Sequence, residues 1–137
     1  MRILQPPGWP RPRGYANGVA ARGELVFVAG MIGWDTDGIF QTTDITGQVR
    51  QALRNVVAVL AEAGAEPAHI VRMTWYVTDV DAYLQASQEI GAAFREIIGS
   101  FTAAMTAVEV SRLVEPDAKV EIEVTAVIPE SVSEAQS

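Results

Sequence analysis

The stretch that most restricts the fold runs from about Thr43 to Ala63. Ile45, Val49, Leu53, Val56 and Leu60 recur there at spacings of three and four, which puts them on one stripe of a helix. Thr43 or Asp44 can cap its start, and Gly64 can end it with Pro67 beyond. A helix apolar on one side must lie against another layer, and the flanking segments have strand character. Leu25–Ile32 (LVFVAGMI) is an almost continuous apolar run, as expected of a strand buried on both faces. Gly30 interrupts it, which marks a bulge or a close approach by another backbone or a ligand. Ile70–Val77 alternates, with Val71, Met73, Trp75 and Val77 on one face and Arg72, Thr74 and Tyr76 on the other.

The remaining segments complete an interleaved pattern. The Pro- and Arg-rich lead-in to Gly14 reads as irregular chain or an edge strand. Gly18–Arg22 and Leu25–Ile32 flank Gly23-Glu24, a hairpin spacing. Residues 34–42 carry turn signals, including Asp37-Gly38. Asp79 or Asp81 can cap a second helix to about Ile98, with Tyr83, Ile90, Phe94 and Ile97 facing inward and Gly99 as its stop. Phe101–Val127 reads as two strands around a turn. The order ββαβαββ implies an α+β fold, one mixed sheet with both helices on one face. The opposite face, with Arg72, Thr74, Tyr76, Lys119, Glu121 and Glu123, is semi-polar and meets either water or other subunits. Residues 1–130 form one domain, and 131–137 (SVSEAQS) read as a flexible tail.

The 137 residues suffice for one core, being 49% hydrophobic and 20% charged. The chain has no Cys, so disulfides, thiolate nucleophiles and Cys-based zinc sites are excluded. No apolar run approaches membrane-spanning length, and the expectation is a soluble, cytoplasmic protein. A net charge of −7 repels phosphate backbones and argues against nucleic-acid binding and ribonuclease activity. His69 is the one histidine, too little for a metal site. No phosphate-cradling glycine motif is present.

Two candidates for chemistry stand out. Glu109 shares a strand face with Ala103, Met105 and Ala107. It is either a solvated acid, free or paired with Arg112, or a partly desolvated carboxylate able to orient a water. Tyr15, beside Gly14, either hydrogen-bonds a substrate or anchors the lead-in.

Several short runs, in order, resemble one family. Gly14-Tyr15-Ala16-Asn17-Gly18-Val19, Phe27-Val28-Ala29-Gly30-Met31-Ile32, Gln48 to Leu53 with Asn55, Leu60-Ala61-Glu62-Ala63-Gly64, Val108–Leu113 and Val120–Glu123 resemble the YjgF/RidA family. Its members are reactive enamine/imine deaminases, also called L-PSP endoribonuclease-like. The resemblance spans Gly14 to Val127. It implies a chorismate-mutase-like fold and a homotrimer whose sheets form a barrel, with clefts between subunits. It also implies a hydrolysis that needs no cofactor and no metal. Tyr15, Gly30 and Glu109 match the family's site, and Met31, Trp34 and Ala107 join them as candidate lining. The family's carboxylate-gripping Arg is Met105 here. Met carries no charge, so either Arg13 turns into the cleft to replace it, or the substrate is bulkier and less anionic than the small imino acids. The resulting expectation is a deaminase-like hydrolase. The alternative is a non-catalytic binder of small molecules.

Overall fold

A computed structural model describes residues 1–100 and 103–130; the tail at 131–137 and the start of the closing segment at Phe101 lie outside the described residues. A short ribbon pairs β1 (Arg2–Leu4) with β2 (Gly18–Ala20). The main sheet contains β3 (Gly23–Ile32), β4 (Ile70–Val77), β5 (Ala104–Glu109) and β6 (Val120–Pro129) in the order β3-β6-β4-β5. β6 is antiparallel to both neighbours, and β5 is parallel to β4. The helices are α1 (Ile45–Glu62), α2 (Val80–Gln85) and α3 (Ser87–Ile97), with a 3-10 turn at Pro67–His69. The mixed α+β sheet is as the sequence implies.

Helix α1 forms as its pattern dictates. Asp44 Oδ2 accepts from Gly47 N at 3.0 Å, and Gly64 at φ 73° ends the helix in the left-handed region. Val49, Leu53, Val56 and Leu60 are fully buried against Met73, Trp75, Val77, Val120, Ile122 and Val124 of the sheet.

Four details depart from the sequence reading. β2 pairs with β1 and forms no ladder with β3, so the hairpin about Gly23-Glu24 is absent. β3 is buried on one face alone: Leu25 and Phe27 are 59% and 72% exposed, because none of the described elements covers the open face. The second helix is two, α2 and α3, meeting at Ala86. Ala86 N still donates to Ala82 O and Ile90 N to Ala86 O, so the apolar spacing runs through the break and hides it from the sequence. Finally, β5 and β6 are not neighbours; β4 lies between them.

Candidate active-site groove

A groove of about 750 Å³ lies between α3 and the helix-side face of β4 and β5. Its apolar wall is Trp75, Ile90, Phe94 and Met105, with Ala107 further along β5. The parallel register pairs Met73 with Met105 and Trp75 with Ala107, so side chains from both strands share this wall. Tyr83 and Phe94 pack on Trp75, with ring centroids 6.1 and 6.3 Å away. The Trp75 Nε1–H is buried without an acceptor among the described residues, an arrangement that costs about 1–3 kcal/mol until something accepts from it.

The lead-in closes the groove on another side. Ala16 N donates to Ala103 O at 2.8 Å, and Ala16 bridges to Ala104 beside the outer edge of β5. Gly14, at φ 77°, makes the turn just before. This arrangement delivers Arg13 and Tyr15 to the groove beside Met105. Arg13 and Met105 line the same groove. Arg95, Ser87 and Ser100 add polar groups to the lining. Sequence reasoning had not singled out Arg95.

Glu109 is placed elsewhere. Its Oε1 accepts from Val80 N at 3.0 Å, at the start of α2, where the helix dipole favours a carboxylate. It does not line the groove. Gly30, Met31 and Trp34 belong to the opposite edge of the sheet. The β3–β6 register shifts between Val28 and Met31, so Gly30 sits in a bulge. A methyl group built on Gly30 would stand 2.5 Å from Glu121 Oε2; glycine there leaves room for that carboxylate on the open face. Glu121 was legible only as part of an alternating strand, since its neighbour Gly30 depends on the β3–β6 pairing. Asn55 Nδ2 fixes the end of β3 by donating to Ile32 O at 3.0 Å and Trp34 O at 2.9 Å. Beyond it, Asp35 accepts from Asp37 N, Ile39 N and Gln41 Nε2. These hydrogen bonds, that from Gln41 foremost, hold the Asp35 carboxyl below its ordinary range.

On the open face, the Tyr76 hydroxyl donates to Glu123 Oε1 at 2.7 Å, and that bond pushes the phenol's pKa up. Among the described residues no group of three or more His, Cys, Asp or Glu is arranged to hold a metal ion, and no helix is long and apolar enough to cross a membrane.

The family profile described as Endoribonuclease L-PSP matches residues 10–128. The chain belongs to this family, the YjgF/RidA family. It is 35% identical over 113 residues to the 2-iminobutanoate/2-iminopropanoate deaminase of Salmonella typhimurium, covering 82% of this chain and 86% of that one. It is 33% identical over 118 residues to a RutC family protein of Pyrococcus abyssi, covering 85% and 89%. Among solved structures, the Rid family protein YyfB from Yersinia pestis superposes with a TM-score of 0.77 at 30% identity, covering 93% of this chain and 98% of that one. E. coli TdcF with bound serine gives 0.67 at 30%, covering 93% and 99%. Within the YjgF/RidA frame, the groove holds Tyr15, Met105 and Ala107 together, while Gly30 lies at the far edge of the same sheet.

Proposed function

We propose that this chain is a hydrolytic deaminase of small imines or enamines, acting without a cofactor in clefts between the subunits of a cytoplasmic homotrimer. The observation that carries the reading is the convergence of Arg13, Tyr15 and Met105 on one groove, in a chain about a third identical to named imine deaminases. Gly30 on β3 and Met105 on β5 stand at opposite edges of the four-stranded sheet, about 14 Å apart at the usual strand spacing, and Glu121, paired with Tyr76, is on the sheet face away from the groove. One chain cannot join them; the next subunit's bulge can face the groove. The exposed Leu25, Phe27 and Val108 on the open face are the surface such an assembly would bury.

The chemistry follows from those groups. Water adds to the C=N carbon, the nitrogen takes up protons, and the C–N bond breaks to leave a carbonyl compound and ammonia. A carboxylate takes the proton from the attacking water and returns it to the departing nitrogen. Glu121 is assigned this role, since its carboxylate has no hydrogen-bond partner among the described residues, whereas that of Glu109 is engaged with Val80 N–H. Tyr15 holds the polar end of the substrate, and the backbone around Gly30, with Met31 and Trp34, completes the opposite wall.

The test is ammonia release from imines made in situ by an amino-acid oxidase, with semicarbazide trapping what remains. Glu121→Gln should lower kcat/KM by about 10²–10⁴, while Glu109→Gln should retain most activity and lose stability. A second reading, a non-catalytic small-molecule binder, is favoured by Met105, which removes a charge from the groove wall. Absence of acceleration with every imine would select it.

A further inference from the structure

We infer that Arg95, with Arg13, forms a carboxylate clamp in this groove, and that the ligand is an acid with a bulky apolar body. The inference rests on the groove being the substrate site and names the substrate class that site would take. The described lining contains the guanidiniums of Arg13 and Arg95 and no carboxylate, in a chain whose net charge is −7. Neither guanidinium has a salt bridge or side-chain hydrogen bond among the described residues, whereas Arg50, also near α3, pairs with Glu96. Arg95 folds back along its helix: a Cβ built on Gly91 would lie 3.3 Å from its terminal nitrogen. Gly91, one turn earlier, therefore leaves room for the guanidinium to lie along the helix at the groove, where Arg95 stays exposed to an incoming ligand.

The same groove is lined by the partly buried Phe94 and Met105 and by Trp75 and Ile90, which are 1% and 5% exposed. A planar fork of donors suits a carboxylate, and the aromatic wall suits an aryl or branched alkyl group. A substrate of three or four carbons would leave most of that wall unfilled. Met105 therefore moves the anion site from the β5 strand to α3 and the lead-in, and frees the strand for the ligand's apolar body.

The probe is phenylpyruvate, the stable carbonyl product of the phenylalanine-derived imine, titrated by calorimetry beside 2-oxobutanoate and the uncharged phenylacetone. Wild type should bind phenylpyruvate more tightly than 2-oxobutanoate. Arg95→Gln and Arg13→Gln should each weaken phenylpyruvate binding about tenfold or more and leave phenylacetone unchanged, with Arg95→Lys recovering part of the loss. Equal phenylpyruvate affinity in Arg95→Gln, or no binding to wild type, would overturn the clamp. Arginine-dependent binding without imine turnover would instead refute the deaminase and leave the clamp standing.

Discussion

Replacing Gln48 should unseat the acid without touching it. Gln48 is the one polar side chain fully buried among the described residues. Its Nε2 donates to Thr42 O at 3.1 Å and Asp117 O at 2.9 Å, and its Oε1 accepts from Lys119 N at 2.7 Å. It thus ties helix α1 to both the loop before the helix and the loop before β6, two residues from Glu121. Gln48→Leu conserves much of the bulk and removes all of these bonds. At about 1–1.5 kcal/mol net for each of the three hydrogen bonds, offset in part by the added apolar burial, the loss is about 2–4 kcal/mol. For a chain of this length that corresponds to a Tm lower by roughly 6–15 °C. Circular dichroism melts would measure it at fixed protein concentration, since assembly shifts Tm by mass action. Hydrogen exchange should show the Lys119 amide losing protection before the core of β6 does. A Tm within 2 °C of wild type, or an unchanged Lys119 amide, would refute the claim that Gln48 sets the position of this loop.

Other expectations concern the bulge, the open face and the loop at Asp35. Gly30→Ala should displace the Glu121 carboxylate, lowering kcat/KM at least tenfold with a smaller effect on Tm; wild-type kinetics would contradict the placement. Phe27→Asp puts a charge on the open face, and sedimentation should show the assembly shifted to monomer; an unchanged trimer would show that face is not the interface. The folded pKa of Asp35 is below its ordinary 3.8, so the loop's stabilisation is complete above that pH and is lost as pH falls through the folded value. Trp34 fluorescence should report an acid transition that Asp35→Asn abolishes; the same transition in the variant would assign it elsewhere.

Much of the architecture was legible because its signals are local. The α1 stripe, the Asp44 cap and the Gly64 stop all lie within one segment, and the structure realises each. What failed depended on which strands are neighbours. The run Leu25–Ile32 looked buried on both faces because apolar residues give the same pattern whether covered by their own chain or by another. β5 and β6 looked like a hairpin because they adjoin in sequence, yet β4 separates them. Glu109 drew attention by sharing a face with Met105, but its carboxylate meets Val80 N, while Glu121 reaches Gly30 only through the β3–β6 pairing. Arg13 was legible as a candidate by its nearness to Tyr15. Arg95 was not, because its approach depends on α3 lying over β4 and β5.

The central claim, a cleft shared between subunits, is tested most directly by mixing two inactive variants. Tyr15→Phe and Glu121→Gln are each expected to form trimers with little activity. After dissociation and reassembly at equal amounts, a site is intact when Tyr15 comes from one parent and Glu121 from the other. Random mixing makes that about a quarter of all sites, so imine hydrolysis should recover to about a quarter of wild type. Activity no higher than the average of the two parents, in trimers shown to be mixed, would contradict the shared cleft.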